Sequence, residues 1–96
     1  MTKLYTVEQF EITRKGRYDD ESERNVVKFD NLNDAEVAFA AADMREAWMF
    51  EKACSNVPIL RQMVMACELR EIVLDEDGEI VTEERLDYKE YGGETV

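Results

Sequence analysis

The 96-residue chain contains no histidine. That absence removes the side chain most often used as a general base, a metal ligand or the activator of a nucleophilic serine or cysteine. The remaining nucleophiles lack another activator: Ser22 reads as a loop residue, Ser55 as a helix end, and Cys54 and Cys67 have apolar neighbours that disfavour a thiolate. Four glycines, at 16, 78, 92 and 93, supply no glycine-rich phosphate loop. No apolar run approaches the roughly 18 residues that span a membrane, and MTKLYTVEQF lacks the apolar centre of a signal peptide. The expectation is a non-enzymatic cytoplasmic protein without cofactor, metal or membrane contact, its two cysteines held as buried reduced thiols.

What the chain has in quantity is acid. It carries 23 Asp and Glu against 12 Lys and Arg, a net charge of −11. Residues 1–31 contribute −1, residues 32–61 contribute −2, and residues 62–96, with eleven acidic and three basic side chains, contribute −8. Such a field repels nucleic acid and anionic membranes and attracts basic surfaces. A hydrophobic content of 45% with nine aromatic residues is enough to fold despite the charge. One domain over 1–96 is expected, with 91–96 as a frayed tail.

Leu4–Arg14 is rich in β-branched and aromatic residues, with Tyr5 and Val7 on one side and Phe10 and Ile12 on the other, and reads as a strand. The polar stretch KGRYDDESER reads as a long charged loop, and Asn25–Phe29 as the returning strand of a hairpin. Next, LNDAEV has the form of a helix start, with Asn33 as cap, Glu36 closing a capping box and Leu32 stapling Val37. A single helix from Asp34 to about Ser55 is expected, because the segment is rich in good helix formers and has no Gly or Pro. That helix would be apolar on two stripes, Val37/Ala40/Ala41/Met44/Ala47/Trp48 and Phe39/Ala42/Met49/Phe50/Ala53. The second stripe needs a cover: a short helix near Pro58, a second subunit or a target.

From Met63 the apolar residues alternate, which favours a strand, and DEDG followed by EIVTEERLDYKEY completes a second hairpin. A four-residue loop Asp75–Gly78 would set Glu68 opposite Arg85, Arg70 opposite Glu83, Ile72 opposite Val81, Val73 opposite Ile80, Cys67 opposite Leu86 and Met65 opposite Tyr88. A two-residue Asp77-Gly78 turn would oppose Arg70 to Arg85 and Glu68 to Asp87, like charges that destabilise a strand pair. The longer loop is therefore expected, and with it an α+β fold of ββαββ order: an antiparallel sheet with one long helix on a face.

Two motifs fail on inspection. Asp75, Asp77, Gly78 and Glu84 fall at positions 3, 5, 6 and 12 of a calcium loop, but position 1 is Val73 and the flanks read as strands. The basic-aromatic RKGRY is followed at once by Asp19, Asp20, Glu21 and Glu23, which excludes direct nucleic-acid binding. Carboxylate pairs are too abundant here to single out a glycosidase.

Acidic side chains alternating along a strand stand about 6.8 Å apart, and each nucleic-acid strand carries a phosphate about every 3.4 Å. The residues assigned to partner binding are Glu76, Asp77, Glu79, Glu83, Asp87 and Glu90, with Tyr88, Tyr91 or part of the Trp48, Met49, Phe50 cluster as apolar anchor. Trp48 itself reads first as core. Arg85 and Lys89 interrupt the acidic row.

In length, charge, lack of histidine and α+β architecture the chain resembles the small acidic accessory proteins of phages and other mobile elements, including anti-CRISPR proteins and other nucleic-acid mimics. The resemblance rests on no diagnostic motif and transfers no site residue. It implies a non-enzymatic inhibitor in the host cytoplasm, docking on the basic groove of a nuclease or CRISPR-type nucleoprotein complex. The competing expectation is a small structural protein that dimerises through the second helix stripe.

Overall fold

The computed structural model describes residues 1–15, 18–54 and 63–92, and leaves the side chains of 14–19 and 50–54 undescribed. The elements are β1 (Thr2–Lys15), β2 (Tyr18–Glu21), β3 (Asn25–Phe29), α1 (Leu32–Ala41), α2 (Met44–Cys54), β4 (Met63–Leu74) and β5 (Ile80–Gly92). The architecture is α+β: the five strands form one antiparallel sheet in the order β2-β1-β4-β5, and β3 pairs with β1 as well. The molecule is elongated, 48 × 28 × 19 Å. The expected ββαββ order is not matched, because the second strand and the helix are each divided in two.

The division of the strand falls inside the expected charged loop. Tyr18–Glu21 pairs with the end of β1, Lys15 opposite Tyr18 and Ile12 opposite Glu21. After a short break, β3 resumes on the same edge with Gln9 opposite Asn25 and Tyr5 opposite Phe29. Ser22 bridges the break: its amide donates to the Glu11 carbonyl and its Oγ accepts from the Glu11 amide, both at 2.9 Å. The backbone of β1 thus stays satisfied where the neighbouring strand is interrupted. Charged composition disguises β2 because side chains on an outer strand need little apolar character.

The division of the helix falls at Ala42-Asp43. Ala42 is extended, with φ −66° and ψ 119°, and Asp43 Oδ1 accepts the Glu46 amide at 3.0 Å, which caps the start of α2. From β5, Lys89 Nζ donates to the carbonyls of Phe39 and Ala42 at 2.6 and 2.7 Å. A cation on the last carbonyls of α1 satisfies acceptors that a continued helix would have used itself. The cap of α1 also differs from expectation: Asn31, not Asn33, accepts the Asp34 amide at 2.8 Å, and Val37 is 62% exposed rather than stapled.

The break brings part of each apolar stripe onto the sheet, while Val37 and Met49 stay exposed. α1 turns Ala35 and Phe39 to the sheet, and α2 turns Met44 and Trp48, so parts of both stripes reach one core with Tyr5, Val7, Met65, Cys67 and Leu69. Trp48 is core, as its composition-based reading had it; its Nε1 donates to the Met63 carbonyl at 3.1 Å and its ring meets Tyr91 edge-on at 5.7 Å. The opposite sheet face carries a smaller cluster of Phe10, Ile12, Val64 and Ala66 beside Tyr88. The helix expected near Pro58 falls outside the described residues, as does the tail beyond Gly92. Tyr91 and Gly92 themselves continue β5, Gly92 opposite Val64.

The register of the β4–β5 hairpin corrects the expected one. Arg70 stands opposite Arg85, Ile72 opposite Glu83, Val73 opposite Thr82, Leu74 opposite Ile80, Glu68 opposite Tyr88, Cys67 opposite Lys89 and Met65 opposite Tyr91. Irregularities at Leu69/Arg70 and Val73/Leu74 leave Leu86 and Val81 outside the one-to-one pairing. The turn is closed by Asp75, whose amide donates to the Glu79 carbonyl and whose own carbonyl accepts from Gly78, at a φ of 81°. Opposed arginines are tolerated because both reach the carboxylate of Glu68, a third partner that the pairwise charge rule does not consider.

Candidate partner-binding site

The acid is concentrated on one part of the hairpin. Between Arg70 and Arg85 the segment 71–84 holds seven acidic residues and no basic one. The β5 half of this arm is exposed from Ile80 through Asp87. Glu71 and Glu84 face one another directly across the two strands, and neither has an ion-pair partner among the described residues. Opposed carboxylates on adjacent strands cost stability, so the pair is a feature that packing alone does not account for.

The residues assigned from sequence do not share one face. Glu76, Asp77 and Glu79 are exposed at the turn, where Asp75 Oδ1 accepts the amides of Asp77 and Glu79 at 2.9 Å and fixes their backbone. Glu83, Tyr88 and Glu90 lie on the face opposite α1 and α2: Glu83 accepts from Arg70 at 2.9 Å, and Tyr88 donates its hydroxyl to Glu90 at 2.7 Å. Asp87 and Tyr91 lie on the helix side, Tyr91 held against Trp48. The turn and its flanks, not an unbroken row along β5, carry the outward charge. Sequence reasoning left out Glu71, Asp75 and Glu84, although the base-free interval 71–84 was visible as a signal.

The two cations that interrupt β5 both have partners within the protein. Lys89 caps α1 and lies 4.7 Å from the Phe39 ring centre. Arg85 donates to Glu68 at 2.6 Å while its guanidinium covers the Tyr88 ring at 4.4 Å. Glu68, only 2% exposed, also accepts from Arg24 at 2.9 Å and from Arg70 at 3.3 Å. Nearby, Glu8 accepts from Arg24 and from the Thr6 hydroxyl, and Arg24 covers the Phe10 ring at 4.1 Å. Burial pushes the Glu68 carboxyl up, but hydrogen bonds from Arg85 and Arg24 and their positive charge outweigh it, so its pKa lies below the ordinary carboxylate value. For Arg24, burial is likewise outweighed by bonds to Glu68, Glu8 and Glu21, which hold it charged.

Two hollows adjoin these groups. One, of about 130 Å³, lies on the face opposite α1 and α2, between Arg24 on Phe10 and Arg85 on Tyr88. The other, of about 480 Å³, lies between α1 and β5, with Phe39, Ala40, Leu69 and Leu86 for its apolar lining and Glu36 and Asp87 beside them. Burial raises the pKa of the Cys67 thiol, with Lys89 opposing in part, which keeps it protonated and a poor nucleophile. Among the described residues no helix is long and apolar enough to cross a membrane.

No protein-family model matches the chain, and neither a curated protein nor a solved structure matches it. The functional reading therefore rests on the geometry of the arm.

Proposed function

We propose that the protein is a non-enzymatic inhibitor that docks its acidic β4–β5 arm onto a basic, nucleic-acid-binding groove of another protein in the cytoplasm. The observation that carries this reading is the base-free interval 71–84, which holds seven acidic residues, with Glu76, Asp77, Glu79 and Glu84 exposed among them, while the neighbouring cations Arg85 and Lys89 are partnered by Glu68 and the α1 carbonyls. The opposed Glu71 and Glu84 add to it, since like charges held together lower their repulsion when a cationic surface covers them. The resemblance to mobile-element accessory proteins makes a host nuclease or a CRISPR-type complex the target class. Within the eight residues assigned from sequence, Glu76, Asp77 and Glu79 are the core of the docking surface; Glu83, Asp87, Tyr88, Glu90 and Tyr91 flank it. The alternative is a homodimer through the second helix stripe, of which Phe39 and Ala42 join the core while Met49 stays exposed; a concentration-independent monomer in sedimentation would remove it.

The test uses an isosteric variant, Glu76→Gln, Asp77→Asn, Glu79→Gln and Glu84→Gln, in capture from a bacterial lysate. The wild type is expected to retain nucleic-acid-binding proteins that added duplex DNA releases, and the variant to lose them. Equal retention by the variant, or retention indifferent to DNA, would refute the proposal.

A further inference from the structure

The hollow between α1 and β5 has a composition that selects a ligand chemistry. Its lining of Phe39, Ala40, Leu69 and Leu86 is apolar, and Leu86, displaced from the ladder by the irregularity at Leu69/Arg70, is left exposed. Glu36 and Asp87 stand beside that apolar surface, and both are exposed. Among the described residues Lys89 is the one cation lining the hollow, and its ammonium is turned to the Phe39 and Ala42 carbonyls. What remains open is an aliphatic slot with a negative rim. Leu86 is two residues beyond Glu84, the last acid of the arm, so slot and arm are continuous along β5.

Arginine and lysine side chains have the matching form, an aliphatic stem with a cationic head. Arginine suits it better, because a guanidinium is more weakly hydrated than an ammonium and bonds carboxylates through a planar fork. A second copy of this chain would bring acid against acid. A nucleic acid would bring phosphate.

We infer that the α1–β5 slot is the anchor pocket for an arginine side chain of the basic partner, an inference that rests on the binding role proposed above and names the contact that orients it. The arm then supplies long-range attraction, and the slot supplies the short-range, desolvated contact that gives an interface its register.

The probe is an octa-arginine peptide, titrated calorimetrically and by amide chemical-shift mapping against the full chain. Ala40→Phe fills the slot from an exposed position without changing the net charge, and its circular dichroism and melting temperature check the fold. The expected result is an affinity loss of about tenfold, the scale of one lost anchor contact, together with wild-type shifts at Glu36, Leu69 and Leu86 that disappear in the variant. The arm variant described above should also weaken binding, but keep those shifts at saturation. If Ala40→Phe binds as wild type while the arm variant does not, the slot is refuted and the docking role stands. If neither variant changes the affinity, both readings fail. If only Ala40→Phe does, the slot stands without the arm.

Discussion

Arg85 Nη2 and Glu68 Oε2 meet at 2.6 Å across the last two strands, on the sheet face opposite α1 and α2. The contact places a positive charge of β5 against a carboxylate that Arg24 and Arg70 also hold, so the internal need for a base and the outward surplus of acid are separated within one hairpin.

Removing the Glu68 charge should therefore leave three arginines without their shared partner. Glu68→Gln is expected to cost roughly 3 kcal/mol, the scale of breaking a buried ion pair from one side, read by urea denaturation at neutral pH. Because the folded pKa of Glu68 is depressed, its contribution is complete above the unfolded value of about 4.3 and is lost as pH falls through the lower folded value. The stability gap between wild type and Glu68→Gln should accordingly narrow on acidification below that point. A gap independent of pH would remove Glu68 from this role.

Lys89 should behave as a structural residue despite its place in an acidic strand. Lys89→Met removes the donor to the Phe39 and Ala42 carbonyls and is expected to cost about 1–2 kcal/mol, the upper range for a cation at a helix C-terminus. Hydrogen exchange at the C-terminal turn of α1 should quicken as well. A change within about 0.5 kcal/mol, typical of surface positions, would contradict the capping role.

Two glycines separate backbone strain from packing. Both have positive φ, 81° at Gly78 and 103° at Gly92. A methyl at Gly78 meets open space, whereas one at Gly92 would run into the Trp48 indole. Gly78→Ala should cost about 1 kcal/mol from the left-handed backbone alone, and Gly92→Ala more than about 2 kcal/mol because the indole must move as well. The single tryptophan makes fluorescence the readout: its emission should shift in Gly92→Ala and stay unchanged in Gly78→Ala.

The opposed Glu71 and Glu84 give the arm a signature in stability. Glu84→Lys should stabilise the fold by about 0.5 kcal/mol by replacing repulsion with attraction, while weakening partner capture. A variant that gains stability and loses binding has the pattern of a site kept for function rather than for folding. Destabilisation by Glu84→Lys would instead mark Glu84 as a structural residue.

The β-branched and aromatic content of β1 and the every-second-residue spacing of β4 placed their faces from the sequence, Tyr5 and Val7 apart from Phe10 and Ile12, and Cys67 and Leu69 apart from Ala66 and Glu68. It did not find β2, whose side chains give no apolar signal. The helix break was hidden because AFAAADMREAW contains no Gly or Pro; its local signal was Asp43 followed by Glu46, which has the form of a second capping box, and Lys89, some fifty residues away, holds the freed carbonyls. The register failed because charges were matched in pairs. Glu68 couples three arginines, Arg70 of β4, Arg85 of β5 and Arg24 from the connection between β2 and β3, and no two-strand rule contains it. The location of the acid was legible, but its division into outward carboxylates and inwardly engaged bases depended on the fold.

In the docking mode proposed above, the outward carboxylates of residues 71–84 make the binding contact. It is tested most directly by the salt dependence of the dissociation constant for the captured partner, measured for the wild type and for the variant with Glu76, Asp77, Glu79 and Glu84 neutralised. The account requires affinity to fall steeply with the logarithm of salt concentration in the wild type and much less steeply in the variant. Equal slopes for the two proteins would contradict it.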